Sequence, residues 1–165
     1  MSKFSVFRKA CNQAKNIKPF SGTLLALDPG ETTGWASFSA TNEVSALVDQ
    51  GQIKTWPQQD MVEQLTKLYD HVKPDLVVHE LYTVYDWKTD DHAWSQIPTV
   101  HVIGCIETLC IQRSIPFISQ TAQVAKNFCT DNKLKSWNYY IEGRRHARDA
   151  IRHGCYFLLF GMVSK

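Results

Sequence analysis

The stretch Leu25-Ala-Leu-Asp-Pro-Gly-Glu-Thr-Thr-Gly-Trp35 carries the strongest structural signal in the chain. A short apolar run at 23–27 leads into Asp28, and Pro29 and Gly30 then stop it, which is the pattern of a buried strand that ends in a turn. A carboxylate at the end of such a strand is costly unless its charge is compensated, and a bound cation is a natural compensation. The alternative is that Asp28 only caps the tight turn.

The pattern outside this stretch predicts three strands joined by hairpins and then an alternation of helices and strands. The predicted strands are 23–27, 34–38, 44–54, 75–80 and 115–118, and the predicted helices are 58–72, 93–113, 121–130 and 145–162. Residues 82–91 and 131–143 are predicted loops. The order β-β-β-α-β-α-β-α-α favours an α/β fold in which helices cover both faces of a mixed five-stranded sheet.

The composition favours one folded domain. The chain has 165 residues, of which 44% are hydrophobic and 12% aromatic, and this is too apolar for a disordered protein. The longest apolar stretch, 155–163, is much shorter than the ~20 residues of a membrane helix, and no signal peptide is recognisable, so we expect no membrane partner. Five cysteines without a C-x-x-C pair indicate free thiols and a cytoplasmic protein.

The net charge of +2 is unevenly distributed. Residues 1–20 carry five basic side chains and no acidic one, residues 21–125 carry five basic against thirteen acidic, and residues 126–165 carry eight basic against three acidic. Basic ends around an acidic middle favour phosphate contacts at a rim and carboxylates at a metal site, although an ordinary solvated surface is the alternative. We expect 1–20 to be a basic N-terminal extension, as a helix or a flexible arm, ahead of a domain at 21–165.

A second acid can join Asp28. Glu80 ends the strand predicted at 75–80, and His79 points to the opposite side of that strand. If the two strands are neighbours, Asp28 and Glu80 converge, and two close carboxylates raise each other's pKa unless a divalent cation binds between them. The alternative is that Glu80 is a surface residue at the end of its strand.

A third acid lies on the predicted helix 145–162. His146 and Asp149 are three residues apart and therefore share one helix face. Oxygen ligands suit Mg²⁺ or Mn²⁺, and an added imidazole favours Mn²⁺ slightly. The alternative is that Asp149 forms a salt bridge with one of the arginines around it, which are Arg144, Arg145, Arg148 and Arg152.

Acids in this order resemble the ribonuclease H and retroviral-integrase superfamily, and within it the RuvC family of Holliday-junction resolvases, particularly its short phage-type members. The first motif is Leu27-Asp-Pro-Gly-Glu-Thr-Thr-Gly-Trp-Ala36 and the second is Asp75-Leu-Val-Val-His-Glu80. The last is His146-Ala-Arg-Asp-Ala150, in which a histidine replaces the first acid of the family's Asp-x-x-Asp-Ala. The stretch Thr121-Ala-Gln-Val-Ala-Lys126 is similar to the family's Gln-Val-Lys stretch, with one residue more.

The resemblance implies a ribonuclease H-like crossover junction endodeoxyribonuclease that hydrolyses phosphodiesters in branched DNA, the four-way junction above all. It implies two Mg²⁺ ions per site, for which Mn²⁺ substitutes, with Asp28, Glu80 and Asp149 as ligands and Lys126 facing the phosphate. His146 would be a further ligand or, alternatively, a proton carrier. An aromatic side chain, Tyr85 or Trp87, would wedge into the junction, and helix 93–113 would form a homodimer interface. The other implied DNA contacts are Thr32, Thr33, Lys133, Lys135, Arg144, Arg145 and Arg148.

Three other functions compete with this interpretation. A nuclease of the same fold could act on RNA–DNA hybrids or other branched DNA, and a DNA-junction-binding module could keep the fold without the chemistry. The Asp-Pro-Gly-x-Thr-Thr-Gly pattern also resembles the phosphate loop of sugar kinases and actin-like ATPases. Those proteins have two lobes and about twice this length, which disfavours them.

Overall fold

The computed structural model describes residues 1–82 and 97–161, which form a mixed five-stranded sheet with helices on both faces. The strands are β1 (Gly22–Asp28), β2 (Thr32–Ala40), β3 (Ser45–Lys54), β4 (Leu76–Leu81) and β5 (Phe117–Thr121). The helices are α1 (Lys3–Ala14), α2 (Gln58–Val72), α3 (Pro98–Gln112), α4 (Ala122–Phe128), α5 (Asp131–Ser136) and α6 (Arg145–Phe160). The predicted α/β class is confirmed.

The order of strands in the sheet is β3-β2-β1-β4-β5. The hairpin partners β1, β2 and β3 are antiparallel, whereas β4 is parallel to both β1 and β5. Because β1 and β4 are parallel neighbours, their carboxyl ends meet at one edge of the sheet. Asp28 and Glu80 both lie at that edge, as the sequence predicted.

The apolar residues of β1 divide the core into two layers. Successive side chains of a strand point to opposite faces, so Leu24 and Ala26 face one layer while Leu25 and Leu27 face the other. The first layer is built with α1, α5 and α6, and the second with α2 and α3. Asp28 continues the series of Leu24 and Ala26 and therefore points toward the α6 face.

Two elements differ from the pattern-based prediction. The predicted loop 131–143 contains the short helix α5, whose first turn is capped by the Thr130 hydroxyl accepting from the Lys133 amide. Six residues are too few to show helical periodicity in the sequence. The Thr130 cap and the burial of Leu134 stabilise this helix, which is too short to be stable alone. The helix predicted at 93–113 is α3, and the part of that prediction at 93–96 lies outside the described residues.

The basic segment 1–20 contributes to the core. Ser2 caps α1, and the side chains of Phe4, Ser5, Arg8 and Asn12, which share one helical face, are buried. Phe4 packs against the rings of Trp137 and Tyr139. Of the two forms that the sequence allowed for this segment, the structure shows the helix. The helix packs into the first core layer and is part of the same folded unit as the rest of the chain. The charge count did not predict this burial, because burial follows from the helical spacing of Phe4, Ser5, Arg8 and Asn12 and not from charge.

Arg8 ties α1 to three distant parts of the chain. Its guanidinium donates hydrogen bonds to the carbonyl oxygens of Phe20 at 2.6 Å, Thr41 at 2.9 Å and Leu158 at 3.2 Å. The side chain is 1% exposed. Without Arg8, the partly buried Phe20 and Thr41 carbonyl oxygens would lose this donor, whereas the Leu158 carbonyl oxygen would keep the Asn12 side-chain amide at 3.3 Å. The loss of a donor at such groups is destabilising.

A close approach between α6 and the sheet depends on Gly34. This residue lies opposite Asp28 in the β1–β2 ladder, and a Cβ atom placed on it would come within 2.0 Å of the His146 backbone. Gly154 has the same role further along α6, where an added Cβ would meet the Phe38 ring of β2 at 2.2 Å. The two glycines therefore set the distance from which α6 presents its side chains to the sheet.

Three of the five cysteines, Cys110, Cys129 and Cys155, are buried. All five cysteines are free thiols. Burial raises the pKa of Cys129 to about 12, which keeps this thiol protonated and unreactive at neutral pH.

Within 1–82 and 97–161, no helix has the length and the apolar character that crossing a bilayer requires.

Replacing Arg8 with methionine is expected to lower the free energy of unfolding by about 2–4 kcal/mol, since several buried carbonyls lose a charged donor. The matched control is Lys9→Met, which removes only the solvent-exposed ion pair with Glu43 and should cost less than about 1 kcal/mol. Urea unfolding of the two variants measures the difference. Equal and small losses would show that α1 is not part of the cooperative core.

Gly34→Ala is expected to destabilise the protein by about 1–3 kcal/mol, because the added methyl group displaces the backbone of α6. Gly30→Ala is the control in the neighbouring turn, where the added Cβ would lie 3.4 Å from the Thr32 carbonyl oxygen, an ordinary contact distance. Thermal unfolding compares the two. If both variants unfold like the wild type, the close approach of α6 is not a constraint on the fold.

Candidate active site

Three carboxylates converge where β1 and β4 end against α6. Asp28 ends β1, Glu80 lies next to the end of β4, and Asp149 is on the second turn of α6. Asp28 and Asp149 are buried, and the Glu80 side chain is 20% exposed. The Lys126 ammonium on α4 bridges two of them, at 3.1 Å from Glu80 Oε2 and 3.3 Å from Asp149 Oδ2.

His146 joins this cluster through Asp28. Its Nδ1 atom lies 2.7 Å from Asp28 Oδ2, and its backbone amide donates to the Gln52 side chain of β3 at 3.2 Å. The four predicted residues therefore lie in one region as two linked pairs: Lys126 joins Glu80 to Asp149, and His146 contacts Asp28. The motif at 121–126 had also indicated Lys126. The opposite orientation of His79 is confirmed, since its ring contacts Glu107 of α3 on the other face of the sheet.

Asp149 also forms the salt bridge that was its alternative interpretation. Arg152, one turn further along α6, binds the Asp149 carboxylate through Oδ1 and also pairs with Asp131 of α5. Its Nε atom donates to the Cys129 carbonyl oxygen at 3.1 Å. The two oxygens of Asp149 therefore have different partners, with Arg152 on Oδ1 and Lys126 on Oδ2. The salt bridge and membership of the cluster are compatible.

Two site residues were missed by sequence reasoning, His153 and Gln120. His153 Nε2 lies 2.9 Å from Glu80 Oε2, and its Nδ1 is hydrogen-bonded to the Gln120 side chain of β5 at 3.0 Å. The spacing of His146, Asp149 and His153 is i, i+3, i+7, so the helix pattern contained a signal for His153. Gln120 had no such signal, because its place beside Glu80 follows from the β4–β5 register.

The two acids at the strand ends, Asp28 and Glu80, have pKa values that are shifted in opposite directions. Burial and, after it, the nearby Glu80 and Asp149 charges together raise the pKa of Asp28 to about 6, against the opposing effect of the His146 hydrogen bond. Burial also acts to raise the pKa of Glu80, but the His153 hydrogen bond and charge and the Lys126 charge outweigh it and bring that pKa to about 2. Burial acts to lower the pKa of Lys126, and the Glu80 and Asp149 charges reverse this and raise it.

The donor set has the chemistry that a divalent cation requires. Three carboxylates and one imidazole supply hard oxygen donors and a nitrogen, which suit Mg²⁺ and Mn²⁺. The raised pKa of Asp28, which reflects burial and crowding of negative charge, is the condition that a bound cation relieves. In the part of the chain that the structure describes, no three His, Cys, Asp or Glu side chains have the spacing that holds a metal ion directly, because the acids of this site are paired with protein groups. The positive charge between Glu80 and Asp149 is that of Lys126.

The threonines of the first motif have different surroundings. The Thr33 side chain is buried, and its hydroxyl contacts the Thr55 hydroxyl at 2.7 Å and donates to the Gly30 carbonyl oxygen. It therefore stabilises the turn after Asp28. Thr32 begins β2 and is half-buried.

The predicted DNA-contacting residues beyond the threonines fall into two groups. Arg144 and Arg145 are exposed where α6 begins. Lys133, Lys135 and Arg148 instead lie against aromatic rings, Lys133 over Phe128 and the other two over Tyr140. Tyr85 and Trp87 lie outside the described residues.

Comparison with known proteins gives matches in structure and none in sequence. No protein-family model and no curated protein sequence matches the chain. Thermus thermophilus RuvC in complex with a Holliday junction substrate matches with a TM-score of 0.65 and 13% identity, over 84% of this chain and 94% of that one. The fowlpox virus Holliday junction resolvase matches with a TM-score of 0.57 and 14% identity, over 82% of this chain and 96% of that one.

A third similar structure is the yeast mitochondrial Holliday junction resolvase Ydc2, with a TM-score of 0.57 and 11% identity, over 95% of this chain and 93% of that one. Each match spans more than nine-tenths of the neighbour's chain, so the likeness covers whole folds rather than a shared fragment. At these identities the likeness establishes architecture. The resemblance predicted from the motifs is confirmed at this level: the chain has the ribonuclease H-like fold of the RuvC-type resolvases.

Proposed function

We propose that the protein is a structure-selective endodeoxyribonuclease that resolves four-way DNA junctions, that is, a crossover junction endodeoxyribonuclease. The observation that carries this proposal is the meeting of Asp28, Glu80, Asp149 and His146 at the carboxyl ends of β1 and β4. This meeting occurs in a fold whose structural neighbours are Holliday junction resolvases. The arrangement suits hydrolysis of a phosphodiester, since carboxylates and one lysine face a common point.

The chain's own residues divide the work of such a hydrolysis. Asp28, Glu80, His146 and Asp149 would hold two Mg²⁺ ions, with Mn²⁺ as a substitute. Bound ions of this kind supply an activated water and stabilise the leaving 3′ oxygen, so that the product carries a 5′ phosphate. Lys126 Nζ would leave its carboxylate partners to donate to the phosphate. Because Nδ1 of His146 is already bonded to Asp28, Nε2 would serve in one of two alternative roles, as a metal ligand or, where it binds no ion, as a proton carrier.

The DNA-binding surface would surround this point with positive charge. Arg144 and Arg145 at the beginning of α6 are the exposed candidates for the backbone next to the cut, and Lys133 and Lys135 for a neighbouring phosphate. Tyr85 or Trp87 would stack on an unpaired base, a contact worth about 1–3 kcal/mol. Thr32 and Arg148 remain proposed contacts, and Thr33 would act through the shape of its turn.

A homodimer would match the substrate. A four-way junction has near two-fold symmetry, and paired cuts need two active sites related by a two-fold axis. Along α3, Val100 is 49% and Ile111 70% exposed, and Gly104 and Thr108 lie exposed between them, with Glu107 at the border of this stripe. We propose this stripe as the dimer interface, in agreement with the role that the resemblance implies for the helix.

Asp28→Asn and Asp149→Asn are expected to reduce Mg²⁺-dependent cleavage of a synthetic four-way junction by at least about 100-fold, since even outer-shell partners of a metal contribute 10–100-fold. Junction binding, measured by fluorescence anisotropy with Ca²⁺ in place of Mg²⁺, should be retained. Asp49→Asn is the control, because Asp49 is an exposed acid of β3 that contacts His71. Wild-type cleavage by the two site variants would exclude the proposed metal centre.

The wild-type protein should cut the junction much faster than a linear duplex or an RNA–DNA hybrid. Similar rates on all three substrates would leave a nuclease without junction selectivity. Tight junction binding with no cleavage in Mg²⁺ or Mn²⁺ would instead support a non-catalytic junction-binding module.

Ile111→Lys is expected to shift the protein from dimer to monomer, because it replaces the most exposed apolar side chain of the proposed interface with a charged one. Val62→Lys on α2 is the matched control, since Val62 is 55% exposed on another surface. Light scattering coupled to size-exclusion chromatography measures the mass of each variant. A wild-type protein that is monomeric at all concentrations would remove the interface.

A further inference from the structure

We propose that His153 is a positioning residue, which orients the Glu80 carboxylate for metal binding while Gln120 holds the His153 ring. This inference rests on the proposed function and assigns a role to two side chains that the proposed mechanism leaves unused. Neither side chain belongs to the motifs at 27–36, 75–80 or 146–150.

The two polar contacts of Glu80 differ in rigidity. Both are made to Oε2, by Lys126 Nζ at 3.1 Å and by His153 Nε2 at 2.9 Å. The Lys126 side chain is long and 34% exposed, whereas the His153 side chain is fully buried and has two rotatable bonds. The flexible Lys126 side chain can move to another partner, whereas the buried His153 ring has no room to do so. His153 is therefore the fixed contact of Glu80.

The His153 ring is itself fixed at its second nitrogen. Nδ1 is hydrogen-bonded to the Gln120 side chain at 3.0 Å, and Gln120 is 8% exposed. Glu80 and Gln120 are direct partners in the parallel β4–β5 ladder, so their side chains lie on the same face of the sheet. The His153 ring, on α6, contacts both neighbours. Its Nε2 faces the Glu80 carboxylate and its Nδ1 faces the neutral Gln120 amide, and we call these two contacts the bridge.

The helix that carries the ring is also constrained. Gly154 follows His153 directly, and its contact with the Phe38 ring leaves no room for a side chain. The backbone at this point of α6 is therefore held at a set height above the sheet. The bridge holds Oε2 of Glu80 in place. Because the two oxygens belong to one planar carboxylate, the direction of Oε1 is restricted as well. Such outer partners are known to orient metal-binding carboxylates.

Two substitutions separate the two nitrogens of the ring. In His153→Gln the amide reaches the place of Nε2 and keeps a donor for Glu80, whereas in His153→Asn it reaches only the place of Nδ1 and keeps the contact with Gln120. Mn²⁺ binding to the full chain without DNA, followed by electron paramagnetic resonance of free Mn²⁺, is the readout. We expect His153→Asn, which loses the contact with Glu80 itself, to weaken Mn²⁺ binding about 10–100-fold. His153→Gln keeps the donor for Glu80 and loses only the support from Gln120, so we expect it to weaken Mn²⁺ binding clearly less than His153→Asn does.

A packing role predicts something different. Both variants remove the same buried ring, so equal weakening in both, or no weakening in either, would overturn the inference. If both fail to fold, Gln120→Met decides, because it removes the partner of Nδ1 and leaves the His153 ring in place. Weaker Mn²⁺ binding by Gln120→Met supports the bridge, and unchanged binding overturns it.

The same measurement tells this inference apart from the proposed function. If the wild type binds Mn²⁺ and Asp28→Asn does not, the metal centre stands, whatever the His153 variants do. If wild type and Asp28→Asn bind Mn²⁺ equally, the proposed metal centre fails first, and the role of His153 fails with it.

Discussion

Repulsion among three carboxylates is the constraint around which this part of the molecule is organised. Asp28, Glu80 and Asp149 lie in a partly buried corner where water screens their charges poorly, and this cost must be balanced by specific partners. Each acid has its own, His146 for Asp28, His153 for Glu80 and Arg152 for Asp149, while Lys126 bridges the last two. The corner is stable because it is a network of pairs rather than a collection of isolated charges.

Helix α6 supplies most of this network. One face of α6 carries small and apolar side chains that pack on β1 and β2, and the adjoining face carries His146, Asp149, Arg152 and His153. The glycines at 34 and 154 allow the helix to lie close enough for short polar side chains to reach the strand ends. Core packing and site geometry are therefore set by the same contact. A change that lifts the helix also moves the polar groups.

The sequence predicted the residues whose signal is local. Asp28 was identified by the Pro-Gly that follows it, Glu80 by its place at the end of an apolar run, and His146 with Asp149 by their helical spacing. Lys126 was identified by resemblance, and it lies between two of these acids. The five strands and the four longer helices after the first were predicted within a few residues of their observed ends.

The residues that were missed depend on contacts between distant parts of the chain. Gln120 is a site residue only because β5 lies beside β4 in a particular register, and no property of residue 120 announces this. The burial of Arg8 depends on carbonyl groups that other segments provide, and a basic stretch gives no sign of them. Local pattern identifies the groups with chemistry, whereas their supporting partners follow from topology.

The hydrogen bond between Arg8 and the Leu158 carbonyl oxygen joins residues 150 positions apart and has a consequence for how the chain folds. On the ribosome, α1 is made well before α6, and the surface it will pack against does not yet exist. Long-range contacts of this kind slow folding and leave apolar surface uncovered in the meantime. The buried face of α1, which includes Phe4, thus stays uncovered until α6 has been made.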